Sequence, residues 1–525
     1  NSRPDCGEQP VEAIGALTMV VGHPSGASGT FSFRNMRHGR SGVHMSTCLQ
    51  RVSNTDGSTG VYYYVLSTPN FFDVVSLTDK TISGPGLPTP LTWSYSYGSG
   101  FEPLWGSAGS PAVYPCTTCK QEKSVTIANP DGTSTVHRYG SQYALNEGRL
   151  LGSSTLDASG SVVSTRSSVY MSAAEVAAQP FAPTYGLIYG SDDPSTAQVR
   201  PVVAEAIDQD GVSYQTSMLS FDGYARPTRV NRSSALGSRT DATTYQDNSA
   251  LWVLGQPATQ GNEDTGLVTS ETRYDELMRP VEELSFGVLK QSLSYNADGT
   301  AATVADGLGH VTALQGWKRG MPQNITFADG VTQSAVVDDN GWIESVTDEN
   351  GSATVYGYDA MGRIASIDWP AGDSVAWART TQSFSQIGTD EHGIGSGHWR
   401  QDVVTGGLRK HVYFDAFWRP VLTEEYDDAW RAETQRFQRF AYDEAGRQVF
   451  SSYPGSSTAL TAGTWTTHDA LGRVRAVSVD AESGLLTTLT EYLGGGQVRQ
   501  TDPRGNVTTT QFQAFGEPST ESPVA

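Results

Sequence analysis

The chain has 525 residues and a formal net charge of −21, from 35 Lys and Arg against 56 Asp and Glu. Only 17% of residues are charged, but 23 Tyr, 17 Phe and 11 Trp accompany 56 Gly and 25 Pro, which excludes a disordered polymer and favours strands over helices. The acidic balance argues against a nucleic-acid partner, and no apolar run approaches the ~18 residues of a membrane-spanning helix.

The sequence opens on Asn1, not Met, as expected of a processed protein or a fragment. The apolar run from Ala13 to Val21 is too short to cross a bilayer. Cys6, Cys48, Cys116 and Cys119 all fall in the first quarter, which fits an oxidising compartment. Four cysteines allow three pairings, and the sequence does not choose among them. Cys116-Thr-Thr-Cys119 lacks the two further Cys or His ligands of a zinc site and the βαβ context of a redox motif. A small disulfide-stapled turn is expected there, with Cys6–Cys48 as the second bridge. His38 and His44, near Arg37 and Arg40, read as a hydrogen-bonded β-surface rather than a general base.

Farther along, Asp208-Gln-Asp210-Gly211 looks like the start of a calcium loop but has no bidentate Glu downstream, so a type I or II turn is expected. Phe221-Asp222-Gly-Tyr-Ala225-Arg226 introduces a signature that then recurs. Between 274 and 362 it keeps a strict 21-residue step, with first positions at Tyr274, Tyr295, Gly316, Val337 and Tyr358. The second position is usually Asp or Asn, as at Asp275 and Asp359, and the fifth is usually Gly. Gly299, Gly309, Gly320, Gly330, Gly341, Gly351 and Gly362 alternate steps of 10 and 11, so each unit holds two turns. Gly supplies positive φ at a turn, and a preceding Asp or Asn bonds its own backbone. About seven residues remain between turns, a normal strand length. The pattern predicts a continuous antiparallel meander.

Out of strict register come Phe414-Asp415-Ala-Phe-Trp418-Arg419, Tyr442-Asp443-Glu-Ala-Gly446-Arg447 and His468-Asp469-Ala-Leu-Gly472-Arg473, with weaker copies at Tyr492 and Phe512. The 56-residue step from Tyr358 to Phe414 is two units plus 14, which places a loop insertion near 380–400.

Tyr-Asp-x-x-Gly-Arg at this period, as in Tyr358-Asp359-Ala-Met-Gly362-Arg363, resembles the YD repeat of bacterial RHS proteins over 221–525. Ile82-Ser-Gly-Pro-Gly-Leu87, Trp93-Ser-Tyr-Ser-Tyr97 and Leu251-Trp-Val-Leu-Gly255 resemble the leading segments of secreted members. The resemblance implies an all-β fold, a meander of hairpin repeats coiling into a hollow spiral shell, related to the shells of polymorphic toxins and of teneurins. It divides the chain into 1–120 with the four cysteines, 121–273 with degenerate repeats, and 274–525 with regular ones. Signature aromatics are expected to pack on their counterparts in adjacent units, and each signature Arg to pair with the Asp of a neighbouring turn. Asp502-Pro-Arg-Gly505-Asn506 lacks the Leu of the family's protease-like motif and reads as a repeat turn. The chain stops at Ala525 soon after a repeat, as expected of a shell wall without its closing region or cargo.

Catalytic signatures are few. There is no Gly-x-Ser-x-Gly elbow, His-Glu-x-x-His or phosphate loop. Asp390-Glu391-His392 with His398 is the best candidate for a divalent metal, although a solvated loop is expected. The aromatics also invite a sugar-stacking reading, but most are needed as core. No cofactor is expected. The expected function is a non-catalytic structural shell, secreted or at the bacterial cell surface, that encloses or displays its own C-terminal cargo segment. The alternative is an adhesin or polysaccharide-binding wall protein facing a neighbouring cell, with self-association through sheet edges possible in either case. An enzyme would need a site in the loops at 23–48 or 380–400.

Overall fold

Short strands separated by glycine turns cannot each bury a face alone, so they pair sideways with their chain neighbours. The computed structural model, which describes residues 16–39, 49–53, 59–63, 71–98, 121–142, 145–185, 198–372 and 375–524, follows that rule. It has 36 strands among the described residues, and 34 of them belong to one hydrogen-bonded sheet. The exceptions, Leu49–Ser53 and Thr59–Tyr63, pair with each other. Leu17–Gly22 pairs with Ser28–Gly39, which pairs with Phe71–Ser83, and from there the meander steps from strand to next strand. All of these ladders are antiparallel. The described helices are a few residues long, such as Ala173–Val176 and Arg431–Thr434, and none is long and apolar enough to cross a membrane. Cys6, Cys48, Cys116, Cys119, His44 and the side chain of His38 lie outside the described residues.

The chain divides into two compact units. One comprises Asn1–Ser238, Phe440–Ser451 and Ala462–Ala525. Here early and late segments meet, as Ile207, Val212 and Tyr214 bury against Ala514, and the Ser234 hydroxyl donates to the Ala514 carbonyl at 2.6 Å. Asp210 reaches Arg473 at 2.5 Å, 263 residues away. The other unit comprises Arg239–Arg439 and Ser452–Thr461, and its core is Ile394, Tyr413, Leu422 and Phe437.

The regular turns are of one kind. The signature aromatic pairs with the residue six places on, as in Tyr274↔Pro280, Tyr295↔Ala301 and Tyr358↔Ile364, with a bulge beside each. Inside, the fourth residue after the aromatic has φ near +60° to +90° and donates its N–H to the carbonyl of the signature Asp or Asn. This is a type I turn closed by a bulge, and glycine suits its left-handed position. Three copies manage without glycine: Ala225, Met278 and Trp418 have φ of 62°, 63° and 61°.

Two expectations about turns are corrected. Gly320 stands in register with Gly299 and Gly341, yet Arg319 and Gly320 both have positive φ and link Lys318 to Met321 as a two-residue type I′ hairpin. Asp210-Gly211, with φ of 50° and 71°, joins Gln209 to Val212 in the same way, so it is neither type I nor type II. A type I′ turn matches the right-handed strand twist, which types I and II oppose.

The turn glycines are not equivalent. A Cβ on Gly351 would meet open space, whereas one on Gly362 would lie 2.7 Å from the Trp342 ring, which is held against Tyr358 at 5.3 Å. Gly351→Ala is expected to cost only the left-handed penalty of about 1–2 kcal/mol. Gly362→Ala is expected to cost about 1–3 kcal/mol more from overpacking. Urea midpoints of the two variants measure the difference, and equal midpoints would contradict it.

Candidate functional site

The signature residues form a clasp. In the type I-plus-bulge turn the Gly N–H takes the Asp carbonyl, so the Arg N–H that follows needs another acceptor. The Asp side chain supplies it. In the turns headed by Asp222, Asp275, Asp359, Asp415, Asp443 and Asp469, Oδ1 accepts the N–H of the Arg four residues on at 2.8–3.0 Å. The same oxygen accepts a second N–H two residues on. Oδ2 accepts the Arg Nε at 2.6–2.8 Å. The Arg279 and Arg363 backbone N–H groups and guanidiniums hold the Asp275 and Asp359 carboxyls below the usual range, against a smaller opposing effect of burial. Asn506 stands in for Arg in the turn of Asp502, whose carboxylate is used in the same way.

Each of these Arg side chains therefore pairs first with the Asp of its own turn, because the hairpin brings residues four apart face to face, and Arg447 also lies 3.8 Å from Asp131. Arg473 reaches farther, taking Asp210 as well as Asp469. The link to the next repeat runs through the aromatic. Arg279 lies 4.4 Å over the Tyr295 ring, Arg363 4.5 Å over Phe384 and Arg473 3.9 Å over Tyr492. The polar tip of the same aromatic donates back to the strand just after the preceding turn: Tyr295 to Pro280 O at 2.6 Å, Trp317 to Ala301 O at 2.8 Å and Tyr358 to Ile343 O at 2.7 Å. Each of these bonds spans 15 or 16 residues and so ties one repeat to the one before it. Phe414 also packs on Phe384 at 6.4 Å. Tyr295→Phe should keep the Arg279 contact and lose about 1 kcal/mol, and Tyr295→Ala should lose at least twice as much. A guanidinium titration of both variants checks the order.

The insertion near 380–400 is not a solvated loop throughout. Its arms are the paired strands Thr380–Gln386 and Trp399–Thr405, and its tip folds onto the core of the second unit. His398 is completely buried, because its ring covers Tyr413 beside Ile394 and Phe437. Around Tyr413 lies a polar cluster the sequence does not announce. Glu424, 2% exposed, accepts the Tyr413 hydroxyl at 3.1 Å, Arg431 at 2.8 Å and Gln435 at 2.5 Å. Burial pushes the Glu424 pKa up, but the Gln435, Arg431 and Tyr413 donors outweigh it and leave it below the usual range. Burial, then the Glu424 charge, pushes the Tyr413 phenol far up. Asp402 is held low despite burial by His411 and Arg400, both of which bond it. Arg400 also grips Glu391 at 2.9 Å.

His392 and His398 are brought together on Tyr413, but as packing partners, with ring centroids 5.2 and 6.0 Å from its ring. Among the described residues no group of three or more His, Cys, Asp or Glu side chains is gathered as metal ligands.

A family model of the RHS repeat matches residues 337–374, which hold the Asp338 and Asp359 turns. The chain thus carries an RHS repeat. The human and mouse Teneurin-4 proteins are 22% identical to this chain over 202 residues, covering 31% of it and 7% of each relative. Solved structures with a similar run of chain include the Photorhabdus luminescens Tc holotoxin pore, at 11% identity and a TM-score of 0.31, covering 93% of this chain and 32% of that one. Another is TcdB2-TccC3 without its hypervariable C-terminal region, at 9% identity and a TM-score of 0.25, covering 95% and 34%. The chain spans about a third of the length of these solved chains. The matched segment holds the Asp359–Arg363 clasp, while the buried Glu424 cluster lies outside it, on the strands that follow the insertion.

Proposed function

We propose that this RHS chain is a structural wall. Its meander coils into a hollow shell, secreted or at the bacterial cell surface, which encloses or displays a C-terminal polypeptide segment of the same protein. The supporting observation is that the signature Asp and Arg side chains are tied into their own turns, so the repeat serves to extend a sheet. Chemistry on a bound substrate would instead need such groups turned toward a ligand. A continuous sheet with most strand edges paired suits a barrier that keeps an enclosed polypeptide from proteases. Limited proteolysis of the full gene product tests this reading. The wall and a segment outside these 525 residues should both survive, and the segment should be digested once urea opens the wall. Digestion of that segment at equal rates with and without urea would contradict enclosure. Exposed Trp252 and Trp430, at 77% and 64%, favour a second reading as a glycan-binding outer surface. Glycan binding lost in Trp252→Ala or Trp430→Ala would support that reading.

A further inference from the structure

The first unit holds a cleft of about 440 Å³, a volume suited to a small ligand. Its floor is one face of Leu150–Leu156, Val162–Tyr170, Val202–Gln209 and Val212–Phe221, where Thr155 and Gln209 flank Ser164 across the ladders. Late segments carrying Arg473, Tyr492, Gln497 and Glu517 complete the lining. Ser164 is 7% exposed and Tyr214 3%. Neither hydroxyl has a hydrogen-bond partner among the described residues, and neither the Thr155 hydroxyl nor the Gln497 amide is bonded there. Ile207, Val212 and Ala514 hold the Tyr214 ring, and its phenol feels the charges of Asp210 and Arg473, which line the cleft with it. Burial, then the Asp210 charge, pushes the phenol up against the pull of Arg473, so it stays a neutral O–H donor. A buried hydroxyl left unpaired is unfavourable, and two in one cleft point to a partner from outside the chain.

The lining also selects the chemistry of that partner. Its charged residues are Arg166, Arg473, Asp210 and Glu517, two of each sign, and Arg473 is already held by Asp210 and Asp469. A cleft without net charge favours neither an anion nor a cation. The floor strands are hydrogen-bonded along both edges, so they offer no free ladder to an added peptide strand. What remains is hydroxyls and amides beside the Tyr492 ring, Leu471, Leu493 and Val498. That mixture matches a ring with hydroxyls around its rim and C–H bonds on its faces.

We propose that this cleft binds a neutral saccharide of about one or two hexose rings, fixed by the Ser164 and Tyr214 hydroxyls. The Thr155 hydroxyl and the Gln497 amide supply further donors and acceptors, and the apolar side chains meet the ring faces. Binding here is independent of what the wall encloses, and Trp252 and Trp430 belong to the other unit.

Calorimetric titration of the whole chain with glucose, maltose, cellobiose and N,N′-diacetylchitobiose, and with glucuronic acid as the charged control, tests the cleft. At least one neutral sugar should bind saturably and more tightly than glucuronic acid. Tyr214→Phe and Ser164→Ala should each weaken that binding about 3–10-fold. Their urea midpoints should match the wild type, because neither hydroxyl bonds the protein, whereas a merely structural role would move the midpoint and spare the affinity. No saturable binding of any neutral probe, unchanged affinity in both variants, or tighter binding of glucuronic acid would each overturn the proposal. Binding lost in Trp252→Ala but kept in both hydroxyl variants would assign the sugar to that tryptophan and overturn it as well. None of these results bears on whether the wall encloses a cargo.

Discussion

Asp415→Ala is expected to raise amide exchange across 408–427 about 100-fold, while Asp306→Ala changes exchange around its own turn less than about fivefold. Both carboxylates head the same kind of turn, but their surroundings differ. Asp415 is 2% exposed and accepts Phe417 N–H at 2.8 Å, Arg419 N–H at 3.0 Å and Arg419 Nε at 2.7 Å. Deleting it removes the acceptor of two backbone donors at a buried turn and the ion pair to Arg419, a loss of about 3 kcal/mol. The Asp306 side chain is half exposed, so water replaces the bonds it makes to Leu308, His310 N–H and the His310 ring. Asp415→Asn should fall between the two, because it keeps an acceptor and loses the charge. Equal effects at the two turns would mean that the clasp is ornamental and that strand pairing alone sets stability.

Glu424→Leu should destabilise the second unit by about 3 kcal/mol at neutral pH, since Tyr413, Arg431 and Gln435 all donate to that carboxylate. Its pH dependence has a definite sign. The folded carboxyls of Glu424 and Asp402 are held below their ordinary values, so the unfolded chain binds more protons as the solution is acidified. The stability they contribute is complete above the ordinary carboxylate pKa of about 4 and is lost as pH falls through the lower folded values. Glu424→Gln, which keeps an acceptor for Arg431, should flatten this acid limb by up to one proton. Denaturation midpoints at several pH values give the slope. An acid limb identical in the variant would place the lost proton elsewhere.

The repeat was legible because its cause is local. Gly at a left-handed position and Asp four residues before Arg are requirements of a single hairpin, and they recur wherever the hairpin does. The partner of Arg was misread because sequence distance shows charge but not the direction of a turn: Arg279 folds back on Asp275 instead of forward to the next unit. Gly320 was misread for the converse reason, since its spacing fits the repeat while Arg319 takes the positive φ of another turn type. Trp418 and Met278 carry no glycine signal; Met278 is buried, and Trp418 packs on Trp399 and Phe414. The Glu424 cluster was hidden because buried charge is rare, and a Glu on a strand reads as solvent-facing. What buries His398 is the apolar surface of Ile394, Tyr413 and Phe437, which no local pattern announces.

A cryo-EM map of the full gene product at side-chain resolution bears most directly on the proposal that the meander is a wall around a polypeptide. The predicted map has residues 274–362 as consecutive hairpins in one curved sheet, with further density for the same protein on the concave side. A flat or open sheet, or a curved one with all remaining density outside it, would contradict enclosure.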